Sequence, residues 1–274
     1  MIDIDRFKQQ GYFTYCFDNL EFLQEIKSTC ERIARDSFGK KFTSLENYHD
    51  IELTNEQHDE FQFAVFTQLN NDKKHRYFVQ DNLDFFTSIF GQDLDVQTNL
   101  YLRIARPGVF TDNIGIHRDT HYGNSAYEVS LSLPLVDQVE GCGLNVIPQS
   151  HLIPDSELEQ FNREDVVRGT PKNQMGFLYA PKKIVGLDES KLTCISLPFG
   201  SGLGFTLGLI HGQKANQSHM TRWAIDFRIK NSFHPLTKNL KAGYYTRLTS
   251  SVIGSLGDDY YALNDDEKQL LTKP

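Results

Sequence analysis

The chain has little of what marks the more specialised classes of protein. Its 274 residues include only four cysteines, and Cys16, Cys30, Cys142 and Cys194 show no Cys-x-x-Cys spacing. Scattered thiols of this kind do not make a disulfide framework in a chain of such length, so reduced, buried cysteines are expected. Basic charge is scarce as well: 28 Lys and Arg against 36 Asp and Glu leave a formal net charge of −8, with a sequence pI near 5.6. A nucleic-acid partner calls for a basic stripe, and the sequence has none. No stretch approaches the roughly 18 consecutive apolar residues that span a bilayer, and the N-terminus lacks a basic segment followed by an apolar one. A cytoplasmic location is the expectation. Repeats, low-complexity tracts and linkers are missing too, which argues for one domain over 1–274.

What is present is a large apolar reserve. With 39% hydrophobic residues, among them 20 Phe and 12 Tyr, the chain can bury a sizeable core. Residues 1–92 read as mostly helical. A first short helix around Ile4 to Lys8 ends near Gly11. Asn19 is then a candidate N-cap for a helix whose Phe22, Leu23, Ile26, Cys30, Ile33 and Ala34 share one face up to Gly39. Thr54 and Gln57 have the spacing of a capping box, in which two side chains satisfy orphan amides reciprocally, ahead of Phe61, Val65, Phe66 and Leu69. A further amphipathic stretch runs from Tyr77 to Phe90.

From Asp95 the apolar period changes from about 3.6 to about 2. Val96 to Ala105, Tyr127 to Leu135, Leu144 to Ile147, Leu192 to Leu197, Leu203 to His211 and Thr221 to Lys230 read as strands, with a polar excursion between Pro154 and Lys191. In the last strand Trp223, Ile225, Phe227 and Ile229 alternate with Arg222, Ala224, Asp226 and Arg228. Helices first and short alternating strands afterwards predict a mainly β fold, a sandwich or barrel buttressed by helices. Residues 1–92 are then the helical support, 95–230 the β core and 231–274 a C-terminal extension that the pattern does not place.

Candidate chemistry gathers in Gly115 to His121. In a strand, residues two apart project to the same side, so His117 and Asp119 can hold one ion together. A second apolar run, 94 residues later, ends in Ile210-His211-Gly212. Two imidazoles and a carboxylate leave one face of a metal open, the arrangement suited to non-haem Fe(II). The spacing alone is a weak signal, because a chain with nine histidines offers several such triples. His121 shares the parity and gives a rival local set, His117, Asp119 and His121. Against it stands the spread of one strand, about 6.6 Å between alternate residues. Arg222, 11 residues after His211, adds a planar fork suited to the far carboxylate of a dicarboxylate co-substrate. The competing reading is a surface arginine on a solvent-facing edge, and Asp226 and Arg228 on the same parity leave that open. If the polar parity faces inward, Asn99, Tyr101, Arg103, Ser130 and Ser132 line the interior as well.

Several segments resemble the iron(II)/2-oxoglutarate dioxygenase superfamily in its phytanoyl-CoA dioxygenase-like branch. Arg6 to Tyr12 is similar to the opening segment of that branch, and His117-x-Asp119 to its metal motif. Gly141 to His151 resembles its "GCL-VIPGSH" stretch, and His211-Gly212 with Asn216, Ser218 and Arg222 its "HGS--N-S---R" stretch. Within the branch, His117 to Thr120, Tyr127 to Val129, Pro134 to Asp137 and Thr221 to Trp223 look most similar to oxygenases of sporadic bacterial carbohydrate-biosynthesis clusters.

The resemblance implies a double-stranded β-helix, or jelly roll, with Fe(II) held by His117, Asp119 and His211. It also implies 2-oxoglutarate salt-bridged to Arg222, O2 as second co-substrate, and hydroxylation of a polar small molecule, with a carbohydrate or its conjugate favoured. Asp119 argues against a halogenating relative, where a small residue frees a site for halide. Two positions depart from the pattern: Gln213 stands for the Ser after His-Gly, and Ser132 for a frequent Trp. Both positions commonly line the 2-oxoglutarate pocket, and Tyr101 is expected as a further contact there. Arg103, Arg118 and His121 are candidate substrate contacts. Rival readings are the same chemistry on an amino acid or secondary metabolite, and a cupin-like binding protein without turnover.

Overall fold

The computed structural model describes residues 2–162, 169–177, 182–235 and 243–263. Helix α1 (Ile4–Gln10) closes on Gly11, whose φ of 82° needs a residue without Cβ. Strand β1 (Tyr12–Cys16) follows, in a region read as helical. It is too short to show a period, and its partner lies in the last third of the chain. Helix α2 (Glu21–Phe38) starts after Leu20, which makes no side-chain cap. The expected cap, Asn19, instead donates to Asp81 O at 2.6 Å. Helix α3 (Asn55–Asp72) opens on the predicted capping box: Gln57 N donates to Thr54 Oγ1 at 3.3 Å, and Thr54 N to Gln57 Oε1 at 3.0 Å. The amphipathic stretch expected next is two helices, α4 (Lys74–Asp81) and α5 (Leu83–Phe90). Between them Asn82 donates its side-chain amide to Phe78 O and Asn19 O, ending α4 and tying it to the start of α2.

The run read as one strand from Val96 is broken into β2 (Leu94–Gln97) and β3 (Tyr101–Ala105), both paired with the same late strand. Then come β4 (His117–Arg118), β5 (Val129–Pro134) and β6 (Leu144–Val146). The polar excursion holds β7 (Gln160–Asn162), α6 (Pro171–Gln174) and β8 (Lys182–Ile184), while 163–168 and 178–181 lie outside the described residues. Strands β9 (Thr193–Ile195), β10 (Ser201–Thr206), β11 (Ile210–Gly212) and β12 (Arg222–Asn231) complete the core. Of the extension, β13 (Tyr245–Thr249) and α7 (Val252–Leu263) are described, whereas 236–242 and 264–274 are not.

A seven-stranded antiparallel sheet runs β1-β10-β5-β12-β2-β13, with β3 also on β12, and faces a four-stranded sheet, β4-β11-β6-β9. This is the jelly roll. Helices α2 to α5 cover the outer face of the larger sheet. Leu23, Ile26, Val65, Leu69, Phe78 and Val79 join Leu102, Leu133, Trp223, Ile225 and Phe227 in one core. Each of these side chains contributes about 1.5–3 kcal/mol by leaving water. Because β12 is paired on both sides and carries apolar residues at every second position, its other parity must face between the sheets. Arg222 is 1% exposed and Trp223 0%, on opposite faces of the strand. Among the described residues no helix is long and apolar enough to cross a membrane.

Candidate metal centre and cavity

Strand β11 pairs with β4 so that His211 lies directly opposite His117. Their ring centroids are 4.4 Å apart, and Asp119 Oδ1 comes to 3.4 Å from His117 Nε2. One donor atom from each of the three side chains falls within 4.8 Å of the others, and all three residues are buried. His117 Nδ1 lies 2.8 Å from Gly115 O and His211 Nδ1 3.0 Å from Leu209 O. A carbonyl only accepts, so both Nδ1 atoms carry the proton and both Nε2 lone pairs point at the shared centre. Burial and the neighbouring His117 push the His211 pKa down to about 4, which keeps its imidazole neutral. Burial alone would raise the Asp119 pKa, but Arg228 with the two histidines holds it well below the usual carboxylate range. Two imidazoles and one carboxylate on one side of a point fit a divalent iron.

The cavity over this centre has a volume of about 590 Å³. At one end lies Arg222, whose Nη1 donates to Gln213 Oε1 at 3.2 Å and Nη2 to Ser132 Oγ at 3.4 Å. Its buried Nε has no partner among the described residues, and no carboxylate pairs with it there. Burial lowers the Arg222 pKa, partly offset by Asp226. Gln213 and Ser132 thus both touch this guanidinium.

Tyr101 lines the cavity elsewhere. It stands opposite Asp226, four residues along β12 from Arg222, beneath Gly176. Arg103 also lines the cavity, donating to Asp226 Oδ2 at 3.0 Å and to Met175 O at 3.2 Å.

Arg118 and His121 are not on the cavity wall. Arg118 lies between His117 and Asp119 on an extended strand and must project to the other face. There it donates to Ile153 O at 2.9 Å, to Asp155 Oδ1 at 2.6 Å and to Ser150 O. The strand ends at Arg118, and the 3₁₀ turn from Asp119 to Tyr122 carries His121 round to Asp155 Oδ1 at 3.1 Å. The local set with His121 is therefore not formed, and neither residue is placed to touch a substrate in this cavity. Asn216 and Ser218 act on the backbone: Asn216 Nδ2 donates to Ala105 O and Met220 O, and Ser218 to Asn216 Oδ1, building the turn that launches β12. His151 binds Lys8 O at 2.9 Å and His219 is exposed.

No family model and no curated protein matches the chain. Solved structures do. The chain resembles the non-heme monooxygenase ThoJ in its apo form, at 17% identity and a TM-score of 0.53, covering 96% of this chain and 95% of that one. It is also similar to EvdO2 from Micromonospora carbonacea var. aurantiaca complexed with 2-oxoglutarate, at 14% identity and a TM-score of 0.52, covering 89% and 96%. What is shared at this distance is the fold.

The residue that closes round Asp119 carries no mark in the sequence. Arg228 Nη2 donates to Asp119 Oδ2 at 2.9 Å, and its Nη1 to Asn124 Oδ1 at 2.8 Å and Tyr244 OH at 3.1 Å. The alternation placed Arg228 on the same parity as Arg222, but only the folded turn at Asp119 brings Arg228 and Asp119 together.

Proposed function

We propose that the chain is an Fe(II)- and 2-oxoglutarate-dependent oxygenase that hydroxylates a neutral, polar small molecule with O2, a carbohydrate or carbohydrate conjugate being the favoured class. The observation that carries this is Arg222: a buried guanidinium without a carboxylate partner among the described residues, on the same cavity as the His117–Asp119–His211 cluster. Burying an unpaired cation costs several kcal/mol, so its place is explained by an anion that arrives later. A redox-inert metal binder has no use for it. EvdO2, one of the similar structures, is described with 2-oxoglutarate bound, which supports the same ligand here.

Bound Fe(II) supplies the one-electron and oxygen chemistry, with 2-oxoglutarate as the reductant. The chain supplies placement. His117 and His211 present Nε2, fixed by carbonyls behind them, and Asp119 presents Oδ1. Arg222, steadied by Gln213 and Ser132, would hold the distal carboxylate by a charge-assisted hydrogen bond. Among the described lining residues the charges other than Arg222 are paired: Arg103 with Asp226, Asp112 with Arg106, Asp119 with Arg228. A neutral substrate suits such a wall, and Asn99, Asn173, Gln174 and Tyr101 beside Phe66 and Phe177 suit hydroxyls and an apolar sugar face. The carbohydrate class itself rests on the resemblance of the motifs.

Anaerobic addition of Fe(II) and 2-oxoglutarate is expected to give a weak visible charge-transfer band, and admission of O2 with a panel of sugars and nucleotide sugars to raise succinate release. Absence of both the band and succinate would sink the proposal. Turnover confined to amino acids or to other secondary metabolites would move it to that substrate class.

A further inference from the structure

We infer that Arg228, held in turn by the C-terminal extension through Tyr244, is a positioning residue that restricts Asp119 to one-oxygen ligation and so keeps a coordination position open for a co-substrate. The inference rests on the reading of His117, Asp119 and His211 as a metal centre.

The two oxygens of Asp119 have separate tasks. Oδ1 faces the cluster, 3.4 Å from His117 Nε2. Oδ2 faces away and accepts from Arg228 Nη2 at 2.9 Å. A carboxylate left to itself beside a divalent ion can chelate through both oxygens. Here the second oxygen is already committed to a charge-assisted hydrogen bond. Swinging it onto the metal would strand a largely buried guanidinium, which is costly.

The guanidinium is itself fixed from several sides. Nη1 donates to Asn124 Oδ1 at 2.8 Å and to Tyr244 OH at 3.1 Å, and Glu128 Oε2 stands 3.9 Å away. Asn124 closes the loop, its Nδ2 donating to the backbone oxygen of Asp119 at 3.0 Å. Glu128 is occupied by the Tyr245 hydroxyl at 2.6 Å. Tyr245 opens β13, which pairs with β2 on the sheet edge, so the extension that no motif placed supplies two walls of the arginine's seat. With an open position, a ligand of two donor atoms can chelate the metal beside three protein donors. With a chelating Asp119, that ligand must compete for space.

Anaerobic Co(II) is the probe, because its visible ligand-field bands weaken as coordination rises from five to six. Wild type is expected to give the stronger bands. Arg228→Met, with Oδ2 released, is expected to give weaker bands and about a 10-fold or greater loss of 2-oxoglutarate affinity for the Co(II) form. Arg228→Lys, which restores a cation beside Oδ2, is expected to recover most of the intensity. Should Arg228→Met not fold, the double variant Asn124→Ala with Tyr244→Phe loosens the same guanidinium, and the same bands are expected to weaken by less. Arg228→Met bands equal to wild type, Lys bands as weak as Met, or an unchanged double variant would each overturn the inference. A wild type that binds no Co(II) would remove the metal-centre reading, and this inference with it.

Discussion

Arg222 and Trp223 are consecutive residues, 1% and 0% exposed, that serve opposite faces of β12. The Trp223 indole donates to Leu45 O at 2.8 Å in the core beneath the helices, whereas the Arg222 guanidinium lines the cavity between the sheets. Anchoring the one therefore fixes the backbone from which the other projects.

Arg222→Met tests what that buried cation is for. Without an anion, its burial weighs against folding, so the ligand-free variant is expected to melt at or above the wild-type temperature. Its affinity for 2-oxoglutarate is expected to fall about 30-fold or more, the loss that follows truncating one partner of a buried charge pair. Thermal melting and equilibrium binding check the two halves. A destabilised variant that still binds the dicarboxylate would contradict both.

Stability is expected to drop as pH falls below about 6.5. His58 and His75 are 0% exposed, and burial pushes both pKa values down to about 4, against opposing effects of Asp112 on His58 and of the Gln97 carbonyl on His75. An unfolded histidine titrates near 6.5, so between the two values the unfolded chain binds more protons. Unfolding free energy then falls with pH at up to about 1.4 kcal/mol per unit for each histidine. Above that window the contribution is fully present. Urea midpoints from pH 4.5 to 7.5 measure the slope, and His75→Gln is expected to flatten it by roughly one histidine's share.

Gly212→Ala is expected to weaken metal binding by about 10–100-fold. Gly212 has φ 152°, and a Cβ there would collide with Gly115 O, the same carbonyl that accepts the His117 Nδ1 proton. Relieving the collision moves the group that orients a ligand. Titration with Co(II) measures the loss, and an unshifted affinity would mean that the carbonyl has room to give.

Gln149 occupies a left-handed conformation, φ 67°, one of two non-glycine residues at positive φ among the described residues. Gln149→Gly is expected to stabilise the protein by about 0.5–1 kcal/mol, the relief of a side chain from that region less the entropy that glycine adds to the unfolded chain. A urea denaturation curve decides it.

Much of this was legible in the sequence wherever one rule governed the residue. Alternation along 222–229 separated the two faces of β12 and left open only whether the polar one turned inward, and the spacing of His117 and Asp119 followed from the same pleat. Arg118 obeys that rule too: lying between two inward residues, it had to face outward, and its charge had suggested otherwise. What stayed hidden depended on where a strand stops. His121 left the expected parity because the chain turns at Asp119. β1 was too short to show a period, and Asn82 divided what its apolar spacing joined. Arg228 met Asp119 across 109 residues, a contact no local pattern encodes.

The register that sets His211 against His117 has a further consequence for the topology of the chain. An ion held by both would join two points 94 residues apart in the folded chain. Unlike a disulfide it leaves the unfolded chain unconfined, so it would stabilise by mass action, by about 2.7 kcal/mol at free metal roughly 100-fold above its dissociation constant. An exchangeable metal would then be a reversible crosslink in a protein with no Cys-x-x-Cys pair. Chelators would withdraw that stabilisation, raising the unfolded fraction and hastening proteolysis.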